Sequence, residues 1–377
     1  MVVSFYINHL NHHQSPVADE MFKLLGCSFH FIETCSPTDS SKKGSEEDYS
    51  KRKYLICAWN NQADRDEALR LAVESDIALF GAGSFSYQVY RAKNTNKVSF
   101  EVSERWLKRG IFSLLSPRLW KYQWYYHTLF YKKPLYKLCA SGFAASDQRK
   151  MLSFKDRCFK WGYFPYYRSV ESIEEKRKEG LDIRIMWCSR FLKLKHPELP
   201  VLLAEKFKKK GVHLIIDMFG DGPEFQNTAA LIHQKKLSEC VFLHGNKPNT
   251  IITEQMRNHS IFLFTSDRHE GWGVVANESM ANGCLLVSSN EIGSTPYLIK
   301  PRITGCVFKS KRLSSLVNEV TWILSHPKEA QAIREAGMQY IMDYWNPKNA
   351  AQSLIKLSES LLQGRPAPMV EGPCSLA

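Results

Sequence analysis

The stretch that decides the fold spans residues 261–278 and reads IFLFTSDRHEGWGVVANE. Its apolar opening, residues 261–265, predicts a buried strand of a parallel sheet. Gly271 and Gly273 in the following loop allow backbone amides to approach a ligand closely, and a helix is predicted from residue 274. Because free amides at a helix N-terminus favour negative charge, this pattern predicts an anion-binding site. Glu270 in the loop and Glu278 in the helix are placed to accept hydrogen bonds from hydroxyl groups.

Strands and helices alternate along both halves of the chain. In the second half, strands are predicted at residues 183–188, 213–219, 241–244, 261–265 and 284–288, with helices between them. In the first half, strands are predicted at residues 2–7, 29–33, 54–59 and 77–80. Such alternation is typical of parallel sheets covered by helices. The predicted fold class is therefore α/β, with two Rossmann-like doubly wound domains that face each other across a cleft.

The length of 377 residues favours two domains over one. The charged run at residues 171–180 is the predicted hinge, which separates an N-terminal domain (1–170) from a C-terminal domain (181–346). A last helix at residues 347–363 is expected to pack back on the N-terminal domain. The Pro-containing end, residues 364–377, is predicted to be a disordered tail.

Composition narrows the class of protein. The net charge of +13 favours anionic partners such as nucleotides or phospholipid surfaces. The 10 cysteines include no Cys-x-x-Cys pair, which argues against a disulfide framework and for reduced thiols. No apolar stretch approaches the ~18–20 residues that a bilayer span needs. We therefore expect a cytoplasmic protein whose contact with the inner face of the cell membrane is peripheral.

Four motifs in residues 182–345 resemble, in the same order, those of the family 4 retaining glycosyltransferases of GT-B fold. The stretch from Glu270 to Gly283 is similar to the family signature Glu-Gly-Phe-Gly…Glu-Ala-Met-Ala-x-Gly. SRFLKLK at 189–195 resembles its phosphate-binding element, FGDGP at 219–223 its Gly-x-Gly-Pro turn, and VFLHG at 241–245 the strand that ends at the nucleotide base.

The resemblance implies a role for each matching residue. The implied catalytic residues are Glu270, which would contact the donor sugar, and Arg190 and Lys195, whose charges suit diphosphate oxygens. The implied donor-binding residues are Gly271, Trp272, Gly273, Val274, Glu278, Gly220, His244 and Gly245. The retaining mechanism is same-face attack, in which the leaving phosphate helps to take the acceptor proton. The resemblance also implies that no metal or cofactor is required and that the donor is a UDP- or GDP-sugar. It further implies that the N-terminal domain (1–170) binds the acceptor and the C-terminal domain (181–346) binds the nucleotide sugar.

The first half resembles the family more loosely. The loop Asn11-His12-His13-Gln14 stands where relatives carry a glycine-rich loop, and GAGS at 81–84 replaces a segment that often holds a functional histidine. Residues 8–25 and 160–165 resemble bacterial enzymes of capsular polysaccharide or O-antigen synthesis, which implies a saccharide or lipid-linked acceptor. The candidate residues of the acceptor or cleft loop are His12, His13, Gln14 and His127.

Residues 103–168 form a basic window rich in aromatic rings, with 14 Lys and Arg against 3 acids. Two interpretations remain open. The rings and cations could meet an anionic membrane surface, which suits a lipid-linked acceptor, or the rings could be core and the cations a solvated face. No nucleic-acid-binding module is recognisable, so nucleic acid is not an expected partner.

Two other functions also remain open beside a transferase that moves a hexose or N-acetylhexosamine to a growing saccharide. Gly271-x-Gly273-x-x-Ala276 fits a dinucleotide fingerprint, with Glu291 20 residues after Gly271, and would indicate an NAD(P)-dependent oxidoreductase. That fingerprint normally follows the first strand of its domain, whereas here it follows the fourth. A catalytically inactive saccharide-binding protein is the other alternative.

Overall fold

The computed structural model describes residues 1–36, 48–167 and 184–377, which form two compact units. Unit 1 comprises Met1–Tyr166 and Tyr344–Ala377, and unit 2 comprises Tyr167–Asp343. The predicted hinge lies outside the described residues. Each unit contains one parallel sheet covered by helices, so the predicted pair of Rossmann-like α/β domains is confirmed.

Unit 1 contains a seven-stranded parallel sheet with strand order β3-β2-β1-β4-β5-β6-β7. All five residues of the central β1 are buried, because both of its faces are covered and both of its edges are paired. The order reverses between β1 and β4, so loops from these two strands open a crevice at the carboxyl edge. The strands are β1 Val3–Ile7, β2 Phe29–Glu33, β3 Leu55–Cys57, β4 Ile77–Phe80, β5 Ser99–Ser103, β6 Leu135–Cys139 and β7 Cys158–Lys160.

Six helices accompany this sheet in the described part of unit 1. The last of them packs against the first, and Ala350, Leu354 and Leu357 lie on its buried face at helical spacing. The helices are Ser15–Leu25, Gln62–Glu74, Phe85–Asn94, Pro117–Thr128, Ala144–Lys150 and Pro347–Leu362.

The C-terminal segment corrects the prediction of a disordered tail over residues 364–377. The amide of Cys374 donates to the carbonyl of Lys160 (2.7 Å), the amide of Lys160 donates to Ser375 (2.8 Å), and the amide of Ala377 donates to Cys158 (3.1 Å). Cys374 itself is fully buried. The segment runs antiparallel beside β7 and satisfies backbone groups that an edge strand would otherwise leave open.

Unit 2 contains a six-stranded parallel sheet with strand order β10-β9-β8-β11-β12-β13. Its core lies between this sheet and the flanking helices, and it is lined by aliphatic and aromatic side chains. The strands are β8 Arg184–Cys188, β9 Ile215–Phe219, β10 Val241–Leu243, β11 Ile261–Phe264, β12 Leu285–Ser289 and β13 Cys306–Phe308. The helices are Glu198–Lys208, Phe225–Gln234, Asn249–Arg257, Val275–Ala281, Thr295–Leu298, Leu313–Ser325 and Pro327–Asp343.

Candidate active site

The strand order of unit 2 reverses between β8 and β11. In open α/β sheets, ligands bind outside the carboxyl ends of the strands at such a reversal, because the loops of the two strands diverge there. The loop after β8 carries Arg190 and Lys195, and the loop after β11 carries Glu270 and Gly273. Residues that are far apart in sequence thus meet at the place where the fold makes a crevice.

Lys195 and Glu270 form an ion pair between the ammonium Nζ and the carboxylate Oε2. Their side chains are only 12% and 13% exposed, so water screens this pair far less than a surface pair. The Glu270 amide donates to the carbonyl of Asp267 (3.0 Å), which fixes the loop immediately before the carboxylate. A positive and a negative charge are therefore held next to each other at the crevice.

Backbone and side-chain hydrogen bonds tie the two loops together. The buried indole of Trp187 donates to Thr265 Oγ1 (2.8 Å), and the Thr265 hydroxyl donates to the carbonyl of Lys195 (2.6 Å). The amide of Asp267 donates to the carbonyl of Leu194 (2.9 Å). These three bonds set the position of Lys195 relative to Glu270, so the pair is built by tertiary contacts rather than by either loop alone.

Two glycines of the site have no room for a side chain. Gly273 has a φ of +78°, and a Cβ built there would lie 2.6 Å from Cε1 of the buried Phe264. Gly220 has a φ of +120°, and its Cβ would overlap the carbonyl group of Ser189, just before Arg190. The amide of Gly220 also donates to the carbonyl of Gly245 (2.8 Å), which brings these two predicted donor-binding residues together.

Arg190 lies differently from Lys195. Its side chain is exposed at the start of the loop after β8, and it makes no hydrogen bond or ion pair with any residue in the described part of the chain. An unpaired guanidinium beside the crevice is available to an anionic ligand. It is not part of the Lys195–Glu270 pair.

Glu278 lies in the helix Val275–Ala281 in an environment that opposes its charge. Burial raises the pKa of Glu278 to about 7, and the nearby Asn249 side chain only partly offsets this. Tyr167, whose own pKa is raised by burial, lies close to Asn277 and Glu278. A carboxyl group whose pKa is raised by burial, beside a crevice, is a candidate for contact with a ligand.

Asp267 organises the loop, and the sequence analysis assigns it no role. Its carboxylate binds Lys311 Nζ (2.8 Å), the amide of His269 (3.0 Å) and the His269 ring (2.9 Å), and it lies 3.4 Å from the His196 ring. Burial would raise its pKa, but the hydrogen bonds from Lys311 and His269 hold that pKa well below its usual range. Asp267 is thus an ionised anchor three residues before Glu270.

His244 ends its strand in a second polar network. Its Nε2 lies 2.6 Å from the buried carboxylate of Asp217, which also contacts His259 (2.9 Å) and Arg184 (3.0 Å). Burial opposes the charge of Asp217, yet the hydrogen bonds from His259 and His244 lower its pKa to about 2. The His244 ring stacks on Phe219 at 4.5 Å and is therefore oriented at the end of β10.

Trp272, a predicted donor-binding residue, has a side chain that lies in the core beneath the loop. Its ring is fully buried, packs near Tyr297, and donates from Nε1 to Asn277 Oδ1 (2.7 Å). Only the backbone of this segment, together with Gly271, Gly273 and Val274, could approach a donor. The Trp272 ring anchors the loop, because an indole of this size fills the core beneath it.

In unit 1, His12, His13 and Gln14 lie in the loop after β1, at the carboxyl edge of the sheet. The two imidazole rings are 3.8 Å apart, and burial together with the neighbouring His12 lowers the pKa of His13 to about 3. His13 is therefore neutral at physiological pH. The buried Glu33 holds this loop by accepting from the Leu10 amide (2.7 Å), a contact that sequence reasoning misses.

His127 does not join these loop residues. It lies in the last turn of the helix Pro117–Thr128, which leads into the start of β6, and its ring is exposed. It therefore belongs to the edge where strands begin, opposite to the edge of the His12–His13 loop. The helix that connects two parallel strands runs antiparallel to them, so its C-terminal residues lie near the edge where the next strand begins and not at the carboxyl edge.

Comparison with known proteins shows which class of enzyme part of the chain resembles. Residues 170–340 match the family described as Glycosyl transferases group 1. Over this region the chain is similar to glycosyltransferases. No curated protein matches the sequence.

Solved structures resemble this transferase over almost its entire length. A glycosyltransferase from Rickettsia africae is 16% identical, with a TM-score of 0.66, over 96% of this chain and 98% of the other. HepE from Anabaena, solved with UDP, is 13% identical, with a TM-score of 0.70, over 96% and 100%. Sucrose-phosphate synthase from Thermosynechococcus elongatus is 14% identical, with a TM-score of 0.67, over 97% and 100%. At these identities the likeness shows the fold.

The position of the glycine loop in the transferase also bears on the oxidoreductase alternative. Gly271 and Gly273 follow β11, a strand paired with β8 but fourth in the chain order of unit 2, and Glu291 follows β12. The loop is thus not the first turn of its domain, where a dinucleotide fingerprint stands. Within residues 1–36, 48–167 and 184–377, no group of three His, Cys, Asp or Glu side chains could hold a metal ion.

Proposed function

We propose that the protein is a family 4 retaining glycosyltransferase that moves a hexose or N-acetylhexosamine from a UDP- or GDP-sugar to a lipid-linked saccharide, in the synthesis of a capsule or O-antigen. One observation carries the assignment: Lys195 and Glu270 meet as a shielded ion pair at the strand-order reversal of unit 2. A sugar diphosphate needs a cation and a hydroxyl acceptor side by side, and this pair supplies both.

The chemistry follows from the charge that develops on the leaving diphosphate. As the glycosidic bond breaks, negative charge grows on the phosphate oxygens, and prepositioned cations stabilise it without reorganisation. Lys195 supplies a compact charge, and the exposed Arg190 supplies a planar fork that is free to bind phosphate. Glu270 would accept hydrogen bonds from the donor sugar's hydroxyl groups, which places the anomeric carbon beside the diphosphate.

Donor recognition is assigned to the residues around these charges. Glu278 would accept from the ribose hydroxyls, which would also relieve part of the cost of its burial. The His244 ring, held by Asp217, would face the nucleotide base at the end of β10. HepE binds UDP in its solved structure, which supports a uridine nucleotide as the first donor to test.

Retention of anomeric configuration is proposed through same-face attack, with the leaving phosphate taking the acceptor proton. Such a mechanism needs no dedicated protein base. His13, the most buried histidine of the unit 1 loop, has a pKa lowered to about 3 and would act as a neutral hydrogen-bonding group toward the acceptor. Its Nδ1 is buried without a hydrogen-bond partner among the described residues, which leaves it available to a hydroxyl group.

The test is slow donor hydrolysis by the purified enzyme with UDP-glucose, UDP-N-acetylglucosamine, GDP-mannose and NAD. We expect release of one nucleoside diphosphate, and a rate reduced at least about tenfold by Lys195→Ala or Glu270→Ala, since ~1.4 kcal/mol lost in the transition state gives that factor. Lys193→Ala, in the same short turn but exposed, and Glu254→Ala are the matched controls.

Each outcome bears on a separate part of the proposal. Wild-type rates in folded Lys195→Ala and Glu270→Ala proteins would refute the site. A thermal shift with NAD and none with UDP or GDP would favour the oxidoreductase. The configuration of the product formed on a synthetic lipid-diphosphate saccharide can be read from the NMR coupling constant of its anomeric proton. A configuration opposite to that of the donor would refute the retaining mechanism.

A further inference from the structure

A cluster of large apolar side chains lies in solvent between residues 111 and 124 of unit 1. The exposed fractions are 76% for Ile111, 69% for Phe112, 78% for Leu115, 55% for Trp120 and 61% for Trp124. Single exposed apolar residues are common on proteins, but a contiguous group with two tryptophans marks an interaction site. We call these five residues, with Arg118 and Lys121, the aromatic-basic surface.

The surface is one continuous feature because a short turn and a helix share it. The turn Gly110–Leu115 carries the three aliphatic and aromatic residues, and the helix Pro117–Thr128 carries the two tryptophans one turn apart. The Trp120 indole donates to the carbonyl of Leu114 (2.5 Å), which joins the helix to the turn. The opposite helix face, with Leu119 and Tyr126, packs into the unit 1 core, so the tryptophan face is not part of that core.

The charge around the surface has one sign. Residues 105–133 contain seven Lys and Arg and no Asp or Glu. Arg118 and Lys121 flank the tryptophans on the exposed side of the helix. Apolar and tryptophan side chains surrounded by cations fit the headgroup level of an anionic bilayer, where the rings sit among the headgroups and the cations meet phosphates.

The fold places this surface near the loop assigned to the acceptor. The turn Gly110–Leu115 follows β5, so it lies at the same carboxyl edge as the His12–His13 loop. Tyr163 connects the two: its hydroxyl group donates to Glu104 (3.3 Å), and its ring lies 5.7 Å from that of His13. A lipid headgroup held at the surface would present a sugar on the side where the acceptor is needed.

We propose that the aromatic-basic surface docks unit 1 on an anionic phospholipid bilayer, with Phe112 and Leu115 inserting between headgroups. This deepens the proposed function and rests on it for its purpose, since it brings the enzyme to a lipid-linked acceptor. No helix in the described ranges could cross a bilayer.

The test is co-sedimentation of the full-length protein with vesicles of phosphatidylcholine alone, or of equal parts phosphatidylcholine and phosphatidylglycerol. We expect binding to the mixed vesicles only. Arg118→Gln/Lys121→Gln should weaken it about 30-fold, given the contribution of each basic residue near an anionic surface. Phe112→Ser/Leu115→Ser should weaken it at least about tenfold.

Matched pairs outside the surface control for loss of charge or apolar area anywhere on the protein. Lys206→Gln/Lys356→Gln removes two exposed cations, and Ile303→Ser/Val370→Ser removes two exposed aliphatic residues. Both should bind as the wild type does. Equal binding to both vesicle types, or unchanged binding of the surface variants, would overturn the proposal. A dimer by light scattering that Phe112→Ser/Leu115→Ser disrupts, without vesicle binding, would assign the surface to a second copy instead.

Donor hydrolysis without vesicles separates this proposal from the proposed function. The surface variants should hydrolyse UDP-glucose, or whichever donor the enzyme accepts, at the wild-type rate, because the changed residues belong to unit 1, whereas Lys195 and Glu270 belong to unit 2. If the docking proposal is wrong, hydrolysis persists while vesicle binding is absent. If the proposed function is wrong, vesicle binding persists in a protein that hydrolyses no donor.

Discussion

Replacing Gly273 by alanine tests whether the shape of the glycine loop positions Glu270. The added Cβ would overlap Cζ of Phe264 and would lie 2.6 Å from Cε1 of the same ring and 3.4 Å from Cγ of Glu270. Carbon atoms of apolar groups normally stay ~3.5–4.0 Å apart, so the loop must move by at least about 1 Å. Phe264 is buried in β11 and cannot yield easily. The displacement is therefore transmitted to the carboxylate beside the crevice.

The expected magnitudes follow from that displacement. A positive φ of +78° adds a strain of ~1–2 kcal/mol for any residue with a side chain. A misplacement of about 1 Å at a reacting centre can cost ~100-fold in rate. We expect Gly273→Ala to lower turnover about 100-fold while the protein still unfolds cooperatively, with its free energy of unfolding reduced by a few kcal/mol.

The assay compares turnover of the preferred donor with urea unfolding for Gly273→Ala and for Gly211→Ala. Gly211 has a similar φ of +74° but no atom within 4 Å of its Cβ position, so it isolates backbone strain from the steric clash. Gly211→Ala should lose ~1–2 kcal/mol of stability and keep wild-type turnover. A folded Gly273→Ala enzyme with wild-type turnover would refute the argument that this loop positions the site.

Three further predictions concern the buried acids and the C-terminal segment. Burial raises the pKa of Glu278 from 4.5 to about 7, so between those pH values the folded state binds more protons than the unfolded state, and the stability from this group falls as the pH rises. Glu278→Gln should therefore raise the free energy of unfolding, relative to wild type, more at pH 8 than at pH 5. An equal difference at both pH values would contradict the burial of the Glu278 carboxylate. Asp267→Asn should lower the free energy of unfolding by ~1.5–3 kcal/mol in urea and also reduce donor hydrolysis, because the charged hydrogen bonds that hold the loop are weakened. Lys311→Gln, which changes a side chain that is 53% exposed, should have a smaller effect on both measurements. Ending the chain after Pro373 should lower the free energy of unfolding by about 3 kcal/mol, since three backbone hydrogen bonds to β7 are lost at ~1 kcal/mol each. Leu376→Ser, which changes only an exposed side chain, should leave thermal unfolding unchanged. A truncated protein as stable as the wild type would mean that the segment does not stabilise unit 1.

Several features of the fold and site could be predicted from the sequence because their signals are local. The strand, glycine loop and helix at residues 261–278 appear at nearly the predicted positions, as β11, a loop and the helix Val275–Ala281. Apolar runs of strand length and helical spacing depend only on near neighbours. The convergence of Lys195 and Glu270 was also foreseeable, since strands ending at one sheet edge bring their loops together.

Other features follow from contacts that no local pattern records. Strands β6 and β7 lie within the basic window of residues 103–168, and β5 ends where that window begins. No strand is predicted for these three segments, because apolar and polar residues do not clearly alternate in them. The end of the chain contains Pro and Gly, yet it pairs with β7 because that edge strand leaves backbone groups open. The same window supplies both core rings such as Tyr126 and exposed rings such as Trp124, a division that no local pattern in the window predicts.

The sequence by itself determined the alternating α/β architecture, the glycine loop and the charged residues that reach the crevice. Only the tertiary structure decided that Asp267 and Asp217 organise that region, that the Trp272 ring is an anchor, and that His127 lies at the wrong edge of its sheet. The reason is physical: periodicity is set by residues a few positions apart, whereas the partner of a buried charge or ring is set by strand order, which joins positions far apart in the chain.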